Sequence, residues 1–207
     1  MIIVVGRGPS LHGRKLGGWI DSFGIVVRLT NPGPGAVDFR ALSDVDYGYR
    51  CDYILTTTSR QFRYLAHCDL SNVQTVWLYK TRYLKEAIGK PDFFEEGLKA
   101  YGYNGPIIVI NDKIAKWLDW YKDNYDPART DYRSDRSRES KPTWYPSKGT
   151  AAILTAMLVD NIVVAAGFDN VLLGRKAVHG HTHDWIAENA LLKMASRELG
   201  VKLLALQ

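Results

Sequence analysis

Short apolar runs alternate with helix-forming segments along the chain, and this alternation constrains the fold more than any other feature. Seven runs predict strands, at residues 2–5, 25–29, 53–57, 74–79, 106–110, 162–166 and 201–206. Helices are expected between them, over residues 15–22, 59–67, 148–160 and 183–199, and over residues 80–101 with an interruption at 89–91. A further helical face is shared by Ile114, Trp117, Leu118 and Tyr121. Such alternation is typical of a mainly parallel twisted sheet flanked by helices. With 207 residues, we predict one Rossmann-like α/β domain over residues 1–207.

The first predicted strand ends in a glycine loop. Residues 2–11 read IIVVGRGPSL, so Gly6 and Gly8 directly follow the apolar run. Glycine permits close approaches that a β-carbon would forbid, and such loops bind nucleotides at the carboxyl end of α/β sheets. Leu11 stands where the dinucleotide-binding fingerprint has its third glycine. The pattern therefore leaves two interpretations open, a nucleotide site and a plain tight turn.

A second candidate site opens a helix late in the chain. Residues 144–169 read WYPSKGTAAILTAMLVDNIVVAAGFD, with Pro146, Ser147 and Gly149 at the start of the predicted helix. Backbone N–H groups and the positive end of the helix dipole suit a phosphate at such a position. Ser147 is equally suited to be the N-cap of the helix. A phosphate site and an ordinary capped helix both fit the pattern.

Three histidines alternate before the last predicted helix. Residues 178–188 read VHGHTHDWIAE, so His179, His181 and His183 would share one side of an extended chain and could form a metal site. If His183 instead begins the helix, that arrangement is broken. A histidine is also suited to be a general base, because its unperturbed pKa is near neutrality. We favour the general base and predict no metal site.

Together these stretches resemble the sialyltransferases of the eukaryotic type, whose sialylmotifs follow the same order. Residues 2–29 resemble the large motif, and the PSKG…GF pattern of residues 146–168 resembles the small motif. A histidine of the pair His179 and His181 stands for the third motif. Residues 183–188, HDWIAE, match the H-x4-E pattern of the very-small motif. The GRGPSL wording also resembles a separate bacterial sialyltransferase family.

The resemblance implies a GT-A-like fold and a metal-independent, inverting glycosyltransferase without a further cofactor. Its donor would be a sugar nucleotide, CMP-sialic acid or a related CMP-sugar. His183 would take the proton from the acceptor hydroxyl, and His179 or His181 would donate one to the leaving phosphate. Glu188 would support them. The donor would contact the other motif residues, namely Gly6, Arg7, Gly8, Pro9, Ser10, Arg28, Thr30, Asn31, Ser147, Lys148, Gly149, Gly167 and Phe168.

Two positions depart from the family pattern. Arg7 stands between the glycines, where the family has asparagine. Asn31 follows the second predicted strand one residue later than the family's asparagine does. Both positions normally contact the nucleotide, so the departures leave the sugar and the base of the donor open. Arg7 also adds a cation that the family lacks.

The net charge of +5 favours an anionic partner but does not choose among a sugar nucleotide, an acidic glycan and nucleic acid. One alternative is therefore a small basic glycosyltransferase that modifies a hydroxyl on a DNA base. Another is a nucleotide-binding module without catalysis, because the two family asparagines are missing. The acceptor, the linkage and the oligomeric state do not follow from the sequence.

One segment differs from the rest in composition. Residues 126–141, DPARTDYRSDRSRESK, contain five basic and four acidic residues and almost no apolar ones, which predicts a mobile lid loop. No apolar run is long enough to span a bilayer. The two cysteines are too few for a disulfide framework. We therefore expect a cytoplasmic protein without a membrane partner.

Overall fold

A sheet of parallel strands forms the centre of the molecule. The structure, a computed structural model, describes residues 1–6, 8–30, 44–57, 70–79, 91–129, 145–173 and 183–206. Its seven strands are β1 (Ile2–Val5), β2 (Ile25–Leu29), β3 (Tyr53–Thr56), β4 (Thr75–Leu78), β5 (Ile107–Val109), β6 (Ile162–Ala166) and β7 (Lys202–Leu206). Their order is β5-β4-β3-β2-β1-β6-β7, and every neighbouring pair is parallel. The predicted α/β, Rossmann-like architecture is thus confirmed.

Helices cover both faces of the sheet. They are α1 (Gly17–Asp21), α2 (Asp44–Tyr47), α3 (Pro91–Lys99), α4 (Ala115–Asn124), α5 (Lys148–Met157), α6 (Asp169–Leu173) and α7 (Trp185–Leu199). Side chains of α4, α5, α6 and α7 pack on one face, together with Ile2 and Val4 of β1. Side chains of α1 and α2 pack on the opposite face with Ile3 and Val5, and α3 packs beside them on β3 and β4. No helix in the described ranges is long and apolar enough to cross a membrane.

The burial pattern explains why the central elements read as apolar throughout. All four residues of β1 are buried, because helices lie on both sides of the sheet. Helix α5 is buried from Gly149 to Met157, and its small side chains allow close packing on the sheet. The predicted face of α4 is confirmed, since Trp117 and Tyr121 are buried in the same core as Ile114.

The element ends differ in places from the sequence prediction. The strand predictions hold to within one residue at each end. Helix α5 ends at Met157 rather than at residue 160, and the last helix begins at Trp185 rather than at His183. The second difference arises because the Asp184 side chain accepts a hydrogen bond from the Ala187 amide and caps the helix.

Several predicted segments extend beyond the described ranges. The predicted helix 59–67 lies outside them, and of the predicted helix 80–101 the structure shows Pro91–Lys99. Of the predicted lid 126–141, residues 130–141 also lie outside, while Pro127–Arg129 form a short 3-10 helix. The lid therefore stays a prediction.

The order of the strands creates one topological switch point, between β1 and β6. From β1 the chain builds the sheet in one direction to β5, and then returns to the other side of β1 with β6. In open α/β sheets, ligands bind outside the carboxyl ends of the strands at such a point. Val5 and Ala166 are paired at the ends of these strands, so the loops that follow them meet there.

The two loops approach each other through their backbones. The Gly6 amide donates to the Ala166 carbonyl at 2.7 Å, and the Gly8 amide donates to the Gly167 carbonyl at 2.7 Å. A β-carbon on Gly6 would clash with the Gly167 carbonyl oxygen, and one on Gly8 would lie 2.7 Å from that same oxygen. Close packing between β1 and β6 therefore requires both glycines, whether or not a ligand binds.

We expect Gly6→Ala to destabilise the protein by about 1–3 kcal/mol, since the added methyl group would force the loops after β1 and β6 apart. Gly18→Ala is the matched control, because a β-carbon on Gly18 in α1 meets nothing within 4 Å. This control should be neutral or stabilising by up to about 1 kcal/mol. Urea unfolding of both variants measures the difference, and equal stabilities would contradict the packing explanation.

Candidate functional site

Three segments that the sequence singles out meet at the switch point. Phe168, in the loop after β6, is in contact with both of the others. A β-carbon on Gly149 would lie 2.6 Å from Phe168 Cε1, and one on Gly6 would lie 3.1 Å from Phe168 Cδ1. The ring therefore packs between the glycine loop after β1 and the start of α5. Gly6, Gly8, Ser10, Gly149, Gly167 and Phe168 thus belong to one cluster at the carboxyl edge of the sheet.

Lys148 ties this cluster to the end of β2. It is the first residue of α5, and its Nζ donates a hydrogen bond to the carbonyl oxygen of Thr30. Thr30 directly follows β2 and is buried. Lys148 and Thr30 are both predicted to contact the sugar-nucleotide donor. The structure thus brings them to the same edge of the sheet as the glycine loop.

Ser147 caps α5 and at the same time binds a buried carboxylate. Its Oγ accepts from the Thr150 amide at 3.2 Å and donates to Glu188 Oε2 at 2.6 Å. The Ser147 amide donates to Glu188 Oε1 at 2.8 Å, and Thr150 Oγ1 also donates to Glu188. Glu188 itself is fully buried. A side chain of α7 therefore occupies part of the helix start at which the sequence indicates a phosphate.

His183 lies next to this carboxylate. Its Nδ1 is buried and lies 3.4 Å from Glu188 Oε1, while the side chain as a whole is 29% exposed. The exposure therefore belongs to the rest of the side chain, which includes Nε2. The imidazole also packs against Trp185, with 5.2 Å between the ring centres. His183 thus has one buried nitrogen that lies beside a buried carboxylate without a hydrogen bond to it, and a side chain that is partly exposed.

Asp184 connects the neighbourhood of His183 to the beginning of the predicted lid. Its Oδ2 accepts from the Asp126 amide at 3.0 Å and lies 3.7 Å from Arg129 Nη1. Its own amide donates to the Tyr121 hydroxyl at 3.4 Å. Residues 126–129 are therefore held beside the start of α7, one residue away from His183.

Two buried tyrosines stabilise the same region. Burial raises the pKa of Tyr79 and of Tyr121, and the negative charge of Glu188 raises both further. Both phenols are therefore protonated at neutral pH. Tyr79 donates to the Pro146 carbonyl at 3.2 Å, immediately before Ser147.

Arg28 is not brought into the cluster. Its side chain is buried, with Nε donating to the Arg50 carbonyl at 2.7 Å and Nη2 donating to the Tyr47 carbonyl at 3.0 Å. Asp21 Oδ1 lies 3.5 Å from Nη2. These partners belong to the α1–α2 side of the sheet, so the guanidinium is used by the fold there rather than at the loop cluster.

Other predicted site residues lie outside the described ranges, namely Arg7, Asn31, His179 and His181. Pro9 belongs to the short 3-10 helix Pro9–Leu11 that follows the glycine loop. Within the described ranges, no three His, Cys, Asp or Glu side chains are grouped so that they could hold a metal ion.

Sequence reasoning missed two polar residues of the site. Asp169 Oδ2 accepts from the Ser10 amide at 3.1 Å and so fastens the glycine loop to the end of β6. The Thr150 hydroxyl donates a further hydrogen bond to the Glu188 carboxylate. A carboxylate directly after Gly167 and Phe168, at the carboxyl end of a strand, was a usable signal for Asp169. Thr150 stands three residues after the N-cap Ser147, a position from which a side chain can reach back to the cap.

A groove of about 490 Å³ lies apart from this cluster. It is bounded by α7 and the edge strand β7, and its lining includes Leu172, Leu192, Arg197 and Leu203. None of the residues singled out in the sequence lines it.

No protein-family model matches the chain, and no curated protein sequence matches it either. The class that the fold defines is therefore an α/β protein with an all-parallel, Rossmann-like sheet. Its function has to be argued from the site.

We expect Glu188→Ala to destabilise the protein by about 3–5 kcal/mol. The substitution would leave the buried Ser147 amide and two hydroxyl groups without their acceptor and would open a cavity. Glu95→Ala is the control, because Glu95 is exposed on α3 and its loss should change stability by less than about 0.5 kcal/mol. Thermal and urea unfolding test this. A Glu188→Ala variant as stable as the control would show that the carboxylate does not hold α5 and α7 together.

Proposed function

We propose that the chain is a metal-independent, inverting glycosyltransferase of the sialyltransferase type with a GT-A-like fold. Its sugar-nucleotide donor, a CMP-sugar by resemblance, lies over the carboxyl ends of β1, β2 and β6. The observation that carries the proposal is His183, whose partly exposed side chain places Nδ1 3.4 Å from Oε1 of the buried Glu188. This pair lies against Ser147, at the helix start that contributes Gly149 to the cluster at the switch point.

The arrangement suits His183 for removing a proton. In the tautomer that this proposal requires, Nδ1 carries the proton beside Glu188 Oε1, 3.4 Å away, which leaves the lone pair of the neutral imidazole on Nε2. Nε2 takes the proton of an acceptor hydroxyl while its oxygen forms a bond to the anomeric carbon of the donor. The bond between that carbon and the phosphate oxygen breaks, and the electron pair leaves with the nucleotide. Attack opposite to the leaving group inverts the anomeric configuration.

Glu188 acts as a positioning residue in this proposal. Three hydrogen bonds from Ser147 and Thr150 fix its carboxylate, so the charge is held in one place. A fixed carboxylate beside Nδ1 selects one tautomer of the imidazole and stabilises the imidazolium that forms during the reaction. This role gives a reason for burying a carboxyl side chain at the junction of α5 and α7.

The acceptor is a hydroxyl group of a glycan or, in the alternative reaction, of a nucleic-acid base. A nucleotide-binding module without catalysis would need the donor cluster but not the exposed imidazole. Transfer and donor hydrolysis therefore distinguish the enzyme from the module, and a panel of glycan and DNA acceptors distinguishes the two enzymes.

We expect CMP to raise the melting temperature of the protein equally with and without EDTA. A ligand present at about 100 times its dissociation constant stabilises the folded state by about 2.7 kcal/mol. UMP, GMP and NAD serve as comparison ligands in the same thermal-shift series. Binding of NAD alone, or a CMP effect that disappears with EDTA, would contradict the proposed class.

We expect His183→Ala to reduce transfer by about 10²- to 10⁴-fold, since a positioned general base contributes that much. Its affinity for CMP should stay close to that of the wild type. His12→Ala is the matched control, because it removes an exposed imidazole in the turn after the glycine loop. Near-full turnover of His183→Ala with intact CMP binding would refute the assignment of the base.

A further inference from the structure

Two backbone positions that the sequence indicates as anion sites already bind carboxylates. The Ser10 amide donates to Asp169 at 3.1 Å, and the Ser147 amide donates to Glu188 at 2.8 Å. A phosphate at either amide would have to replace its carboxylate. A phosphate beside them would meet negative charge, because like charges a few ångströms apart repel strongly in a partly buried site. The donor phosphate therefore needs a cation at this edge of the sheet.

Lys148 places a cation at this edge of the sheet. Its ammonium group lies against the Thr30 carbonyl, where β2 ends, and β2 pairs with β1 directly beside the switch point. The next residue, Gly149, packs on Phe168, which also contacts the glycine loop. The Lys148 side chain is partly buried, so its charge is screened less by water and salt than that of a surface lysine.

We propose that Lys148 binds the phosphate group of the nucleotide donor. Lysine binds phosphate as a point charge, and a charge-assisted hydrogen bond is about twice as strong as a neutral one. The ammonium group offsets the negative charge that grows on the phosphate oxygen when its bond to the sugar breaks. This inference rests on the proposed function, a transfer reaction that does not use a divalent metal. It adds that the Lys148 ammonium group stabilises the charge of the leaving phosphate.

The experiment compares CMP with cytidine, which lacks the phosphate. Isothermal titration calorimetry gives the dissociation constants of both ligands for the wild type, Lys148→Gln and Lys148→Arg. Glutamine keeps a donor for the Thr30 carbonyl but removes the charge. Lys202→Met is the control, since Lys202 is exposed at the amino end of β7, on the opposite edge of the sheet.

We expect the wild type to bind CMP about 10- to 100-fold more tightly than cytidine. In Lys148→Gln this ratio should fall towards one while the affinity for cytidine stays the same. Lys148→Arg and the control should keep most of it. A merely structural role of Lys148 would weaken both ligands together, so an unchanged ratio in Lys148→Gln overturns the inference.

A second measurement uses the wild type and does not depend on how the variants fold. Amine acetylation, followed by mass spectrometry, should modify Lys148 more slowly in the presence of CMP than in the presence of cytidine at equal saturation. Equal rates overturn the inference. If the wild type binds neither CMP nor cytidine, the proposed function itself fails, which separates the two claims.

Discussion

The carboxylate of Glu188 joins the starts of α5 and α7, where the candidate site lies. It is buried at the junction of α5 and α7, where it accepts hydrogen bonds from Ser147 and Thr150 and contacts His183. A carboxyl group in such a place is costly to bury unless its hydrogen-bonding capacity is satisfied. Glu188 lies in the first turn of α7, and its carboxylate accepts hydrogen bonds from the N-cap and first turn of α5. The same contacts therefore hold the two helix starts together, and His183 lies beside them.

The second constraint is the backbone contact between the loops after β1 and β6. Gly6 and Gly8 are glycines because the Gly167 carbonyl leaves no room for a β-carbon. This gives the glycine loop a packing function that exists without a ligand, at the edge of the sheet where α/β proteins bind nucleotides. The Gly6, Gly8 and Ser10 amides are used within the protein, and for this reason we propose a side chain, Lys148, as the partner of the donor phosphate.

The sequence predicts the sheet well because β1 and its neighbours are apolar throughout, as strands covered on both faces must be. It also identifies Ser147 as a cap. It could not show that Glu188 would return to that cap, because the contact spans 41 residues and no local pattern encodes it. The resemblance predicts that Arg28 contacts the donor, whereas its guanidinium donates hydrogen bonds to the Arg50 and Tyr47 carbonyls on the α1–α2 side of the sheet. Helix α7 begins at Trp185 and not at the predicted His183, because the Asp184 side chain supplies the oxygen that caps the helix.

Hydrogen–deuterium exchange of the wild-type protein with and without CMP tests most directly where the nucleotide binds. A donor over the switch point should slow amide exchange in peptides that cover the loop after β1, the start of α5 around Ser147–Gly149 and the loop after β6. Peptides from the groove between α7 and β7 should exchange at an unchanged rate. Protection confined to that groove, with unchanged exchange at all three loops, would contradict a sugar-nucleotide site at the carboxyl edge of the sheet.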